Sequence, residues 1–233
     1  MRAIYRKEMR QYWVSPSGVV FLAAYAALTG YCFSVGNLYA QNGRAAVLFS
    51  TLLPMLMYLI PVITMRLFAE ERKMRTEQLL FTAPLAVRDV VFGKFLAAFT
   101  MFAVGSLPVL LCVALLARLG CFQALEVLGN LAGLLLTGMA FISIGLFASA
   151  ITENQIVSAI VSYAILLGLW LLGYFQSYVS DPILLGVIRL FSYQQHFQEL
   201  SIGIFSLTAA VYFIGMTLWM LQMTITVLEC RRH

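Results

Sequence analysis

Residues 127–152 read VLGNLAGLLLTGMAFISIGLFASAIT, twenty-six positions without an Asp, Glu, Lys or Arg. At about 1.5 Å of rise per residue such a run exceeds the roughly 30 Å hydrocarbon core of a bilayer. Backbone groups left unpaired in lipid force it to be helical. Five more runs share the property: 19–43, 45–65, 95–117, 154–180 and 200–228. The chain is therefore expected to be all-α, a polytopic membrane protein with six transmembrane helices. Its composition agrees, with 62% hydrophobic and 11% charged residues where soluble domains carry about 25% charge. Residues 1–233 are expected to form one transmembrane domain, the parts outside the spans being too short for a separate soluble catalytic domain.

The net charge of +5 does not point to nucleic acid, because the basic residues flank apolar helices and form no continuous patch. With a cytoplasmic N-terminus, the inner side holds Arg2, Arg6, Lys7, Arg10, Arg66, Arg72, Lys73, Arg75, Arg88, Lys94, Arg231 and Arg232. Only Arg44, Arg118 and Arg189 fall outside. This asymmetry follows the positive-inside rule and places both termini in the cytoplasm, in a multi-pass protein of the plasma membrane. The first apolar run is too long for a signal-peptide core and reads as an uncleaved span.

Residues 1–18 form a separate element. Tyr5, Met9 and Tyr12 recur at i, i+4 and i+7 with Trp13 beside Met9, and Arg6, Lys7 and Arg10 take the opposite arc. This is the pattern of an interfacial helix, with Tyr5, Lys7, Arg10 and Trp13 as its membrane-surface residues and Glu8 as an interruption of the pattern. Ser15-Pro16-Ser17-Gly18 ends it, because proline disfavours helix in the residue before it. Span 1 and span 2 are joined by a tight outer hairpin at Gln41-Asn42-Gly43. Pro54 and Pro61 are expected to interrupt or kink span 2.

Residues 66–94 form the substantial cytoplasmic connection. Thr76 can cap a short helix through Thr82 that Ala83-Pro84 ends, and Leu79, Leu80 and Phe81 make an apolar patch on it that calls for a lipid or protein partner. Span 4 carries Gly129-x-x-x-Gly133 and further small residues to Ser149, the spacing of close helix packing, within the subunit or between subunits. Residues 176–200 include an apolar stretch too short to cross, which reads as an outer re-entrant or interfacial segment.

Several chemistries are not supported. No charged residue lies at the centre of a span, which counts against ion-coupled carriers and membrane proteases. Cys32, Cys112, Cys121 and Cys230 have no zinc-ligand spacing and read as apolar packing residues. His196 reads as structural or solvated. There is no G-x-x-x-x-G-K-[ST] phosphate loop, since Gly93-Lys94 is followed by Phe95 and has Arg88 five residues upstream. The chain is expected to bind no nucleotide, metal or other cofactor and to be no enzyme itself.

The stretch Pro61 to Lys73, followed by Thr76-Glu77-Gln78-Leu79-Leu80-Phe81-Thr82-Ala83-Pro84-Leu85, resembles the second span and coupling-helix region of type-2 ABC exporter permeases, most of all the gliding-motility-type branch. Lys7-Glu8-Met9-Arg10 with Ser15-Pro16 resembles that branch's N-terminal connecting helix, and Val90 to Phe95 its entry to span 3. His196-Phe197, Gly203, Tyr212-Phe213 and Leu228 to Arg232 are similar as well, whereas spans 4 and 5 match in character only. Arg75 departs from the pattern, which has glycine before the threonine. The resemblance implies a half-transporter: a second copy or paralogue of this permease, and two ABC ATPase subunits that hold ATP and magnesium. In that reading Glu70, Glu71, Arg72, Thr76, Glu77, Leu79, Leu80, Phe81 and Pro84 form the ATPase-coupling segment. The alternative is a non-transporting membrane scaffold or regulatory partner of an ATPase complex.

Overall fold

The computed structural model describes residues 1–74, 86–118, 123–175, 192–201 and 206–232. Every regular element among them is a helix. Helix α1, Arg2–Val14, ends where Ser15 turns extended at φ −85°, and Pro16 opens α2, Pro16–Phe33, as its first residue. That position suits proline, whose missing N–H would have had no helical partner there. α2 widens into a π-helical segment, Ser34–Tyr39. The hairpin beyond it is held by the Asn37 amide, which donates to the carbonyls of Asn42 at 2.8 Å and Arg44 at 3.0 Å. Gln41 takes a positive φ of 50° in this turn.

Helix α3, Ala45–Thr64, runs on through Pro54 and Pro61. The expected interruption does not end the helix. Each proline removes one hydrogen bond, and the buried Leu53 and Leu56, and Ile60 and Ile63, pack on either side of them as the helix continues. A turn at 65–68 leads to the short α4, Ala69–Lys73. Span 3 is divided: α5, Val87–Gly105, and α6, Leu107–Arg118, meet at Ser106, whose hydroxyl donates back to the Ala103 carbonyl at 2.7 Å. The remaining helices are α7, Ala124–Ile151; α8, Gln155–Phe175; α9, Tyr193–Ser201; and α10, Leu207–Arg232.

Among the described residues six helical stretches are long and apolar enough to cross a membrane, with α5 and α6 counted together and α2 continued through its π segment. The protein is an all-α, multi-pass membrane protein. α7 is the hub, packing against α3, α5, α8, α9 and α10. Its small residues make this possible: a methyl at Gly138 would overlap the Phe102 ring, and one at Gly145 would overlap the Thr64 side chain. These contacts join helices of one chain. The helices around the hub turn Val19, Val20, Leu111, Leu115, Ile160, Leu167, Leu171 and Leu218 outward, the side that lipid solvates.

Most of the 176–200 segment lies outside the described residues. Its last part belongs to α9, where Tyr193 and Phe197, four apart, are buried. The Tyr193 ring meets Phe141 edge-on at 5.2 Å, and its hydroxyl lies 3.2 Å from Met57 Sδ. α9 is thereby fixed to α7 and α3 well inside the bundle.

Candidate functional site

The helix ends that carry most of the basic residues come together through one ion network. It begins on α1, where the buried residues are Ile4, Glu8 and Tyr12, spaced at i, i+4 and i+8. Glu8 is the middle of the buried stripe and not a defect in an apolar one. Gly93 allows this approach on the facing helix, since a Cβ there would stand 3.1 Å from Ile4 Cγ2. The next residue, Lys94, is 1% exposed.

The Lys94 ammonium donates to Glu8 Oε1 at 2.8 Å and to the Leu67 carbonyl at 2.6 Å, and pairs with Glu71 Oε2 at 3.0 Å. Two hydrogen bonds and an ion pair thus surround the ammonium, which also lies 5.0 Å from the centre of the Phe68 ring. Glu71 Oε1 accepts from Lys7 at 2.6 Å, and Lys7 lies 3.7 Å from Glu8. Two cations balance two carboxylates, which is what allows charges to be buried at all. Burial alone would lower the Lys7 pKa, but the hydrogen bond to Glu71 and the charges of Glu71 and Glu8 outweigh it and leave it above the ordinary lysine value.

A second set of contacts fastens the elbow between α3 and α4. Arg66 bonds Ser17 at the start of α2, lies 3.5 Å from Glu70, and sits 5.6 Å from the centre of the Tyr12 ring. The Tyr12 hydroxyl donates to the Ile63 carbonyl at 3.2 Å. From the other side, Ser149 of α7 accepts from the backbone N–H of Phe68 at 3.0 Å and of Ala69 at 3.1 Å, and donates to the Met65 carbonyl at 3.0 Å. One hydroxyl thus satisfies groups that the turn leaves without helical partners. Arg72 donates to the Ile151 carbonyl at 3.3 Å. The elbow is gripped by α1, α2, α5 and α7 at once.

Of the residues expected from sequence, Lys7, Glu70, Glu71 and Arg72 meet in this network. Tyr5 packs beside it with its hydroxyl 3.4 Å from Thr100, whereas Arg10 and Trp13 are exposed and take no part. Thr76, Glu77, Leu79, Leu80, Phe81 and Pro84 lie outside the described residues. Sequence reasoning passed over Glu8, Lys94, Arg66 and Ser149. A signal existed for two of them: Glu8 stands four residues from both Ile4 and Tyr12, and Lys94 is the single charge within Val90 to Leu96. Among the described residues no His, Cys, Asp and Glu cluster could hold a metal.

A separate apolar cavity of about 250 Å³ opens between α3 and α8, lined by Met57, Tyr58, Tyr163, Ala164 and Leu167. The Tyr163 hydroxyl donates to the Tyr58 carbonyl at 2.6 Å across it.

No curated protein matches the chain. The sequence profile of the ABC-2 type transporter family matches residues 1–206, a span that takes in α1, the gripped elbow, the first five membrane-crossing stretches and α9. With most of a six-span bundle covered by that profile, this chain belongs to the ABC-2 type transporter family, as a membrane permease.

Proposed function

We propose that this permease is the membrane half of an ATP-driven exporter of the gliding-motility-type branch. It pairs with a second copy or paralogue and with two ABC ATPase subunits, which hold ATP and magnesium and carry the hydrolytic activity. Both termini and the 66–94 connection face the cytoplasm of a plasma membrane, where α1 lies at the lipid interface. The segment from Thr76 to Pro84 docks in an ATPase groove, and Glu70, Glu71 and Arg72 lead into it.

The observation that carries this reading is the grip on the elbow. A docking segment can move a membrane bundle only if the chain beside it is stiffly attached to several spans. Residues 65–72 bond to α1, α2, α5 and α7 through Arg66, Leu67, Ser149, Glu71 and Arg72. A scaffold has no need of such attachment. The cavity between α3 and α8 supports an apolar cargo or cargo portion, because its lining offers rings and methyl groups and no charge.

The test is purification of the tagged permease in mild detergent, followed by identification of co-purifying chains and measurement of ATP hydrolysis. The exporter reading expects a Walker-type ATPase whose turnover changes on permease binding, in a particle holding two permeases. Absence of any ATPase from the particle overturns it. An ATPase that binds with unaltered turnover and no nucleotide-driven change in the permease favours the scaffold.

A further inference from the structure

The last turn of α7 is claimed by two arginines from different elements. Arg231, at the end of α10, donates to the Ala150 carbonyl at 2.9 Å and to the Ile151 carbonyl at 3.1 Å. Arg72, on α4, donates to the same Ile151 oxygen at 3.3 Å. These carbonyls have no partner within the helix, and they carry the negative end of its dipole, so a guanidinium is a fitting cap.

On α10, Leu221, Thr224, Ile225 and Leu228 are buried at i, i+3, i+4 and i+7. Arg231 continues this stripe three residues further, where the apolar contact with the bundle gives way to a polar one. Among the described residues of the inner half of α10, the other side-chain hydrogen bonds, those of Thr224 and Thr226, stay within the helix. Arg231 is therefore the polar fastening of this half of span 6 to the rest of the molecule. It ends on the atom that also receives the elbow.

We propose that Arg231 is a positioning residue for energy coupling: it clamps α10 to the Ile151 carbonyl that Arg72 also holds, so that the firmness of this clamp on the inner end of span 6 depends on where an ATPase has moved the elbow. The proposal rests on the permease reading above. The two guanidinium groups repel each other while sharing one acceptor. Withdrawal of Arg72 with α4 then tightens the Arg231 contact, and its return loosens it. Span 6 thus receives the elbow's position through the Ile151 carbonyl.

The experiment is hydrogen exchange on the native permease–ATPase complex in lipid nanodiscs, without nucleotide and trapped with magnesium, ATP and vanadate. In the wild type, exchange should change at least threefold on trapping both in peptides covering 66–74 and in those covering 222–230. Arg231→Gln should abolish the change at 222–230 and leave that at 66–74 and the ATPase content of the particle intact. Arg231→Lys, which keeps the charge but reaches one carbonyl in place of two, should retain less than half of it, and serves alone if the glutamine variant does not reach the membrane. A wild-type response at 66–74 with none at 222–230, or a full response at 222–230 in either variant, overturns the clamp while the permease reading stands. No response at 66–74 in the wild type removes both the clamp and the docking of an ATPase beside the elbow.

Discussion

Lys94 Nζ and Glu8 Oε1 lie 2.8 Å apart across 86 positions of sequence, and both side chains are almost wholly withdrawn from solvent. The contact makes the N-terminal helix part of the bundle instead of a loosely attached float. Removing one member of a buried pair strands the other, at a cost of about 3–5 kcal/mol, whereas replacing a pair by apolar groups can be neutral. Lys94→Met leaves both Glu8 and Glu71 without their buried cation and should be the most damaging change in the network. Glu8→Gln leaves Lys94 with Glu71 and the Leu67 carbonyl and should cost less. Lys7, whose side chain is 54% exposed, should tolerate Gln with a loss of about 0–1 kcal/mol. Thermal unfolding of the three variants in detergent gives the order, and an equal effect for Lys7→Gln and Lys94→Met would contradict it.

The glycines separate by what surrounds them. A methyl at Gly145 meets the Thr64 side chain in the hub interface, while one at Gly215 on α10 meets nothing within 4 Å. Gly145→Ala should destabilise the fold by about 1–3 kcal/mol through overpacking. Gly215→Ala should be neutral or stabilise by up to about 1 kcal/mol, because glycine is a poor helix former. Fluorescence-detected size exclusion after a heat step distinguishes them, with melting points expected to move in opposite directions or only the first to fall.

The architecture was legible because its signal is local. Six charge-free runs announce six helices, and Ser15-Pro16 marks the boundary of α1 without reference to any other segment. The network was not, because its meaning depends on partners far away in sequence. Glu8 looks like a flaw in an apolar face until Lys94 is placed against it, and Lys94 looks like one more inner flanking charge until it proves buried. Ser149 is one small residue among many on span 4 until the elbow's N–H groups arrive. The break in span 3 is a different case: Gly105-Ser106-Leu107-Pro108 is a local signal that the length of the apolar run concealed. Pro54 and Pro61 show the reverse, a local signal for interruption across which the helix nevertheless continues.

Sidedness can be read with the chain's own cysteines. Cys230 is exposed at the end of α10, and Cys32 is buried; Cys121 lies outside the described residues. The charge asymmetry predicts that a membrane-impermeant maleimide on intact cells reacts with Cys121 and spares Cys230, and that inverted vesicles reverse the result. Labelling of Cys230 in sealed cells would invert the whole arrangement and move the ion network to the outer face.

The connection itself is tested by its apolar residues. Leu79, Leu80 and Phe81 follow directly on an elbow held by charges, and the two kinds of group should differ in what their loss does. Apolar anchors at the centre of an interface dominate its energy, with truncation costing roughly 1–4 kcal/mol, while exposed ion pairs contribute about 0–1 kcal/mol. Leu80→Ala with Phe81→Ala should therefore reduce the amount of ATPase recovered with the permease by tenfold or more. Its melting point should stay near wild type, because the buried network on α1, α5 and α7 is untouched. Glu77→Gln should lower recovery less than threefold. Lys94→Met should do the opposite of the double variant, lowering stability first and ATPase recovery only as the fold is lost. Measuring both quantities on all three variants separates docking from attachment, and wild-type ATPase recovery in the Leu80/Phe81 double variant would exclude this segment from the docking surface.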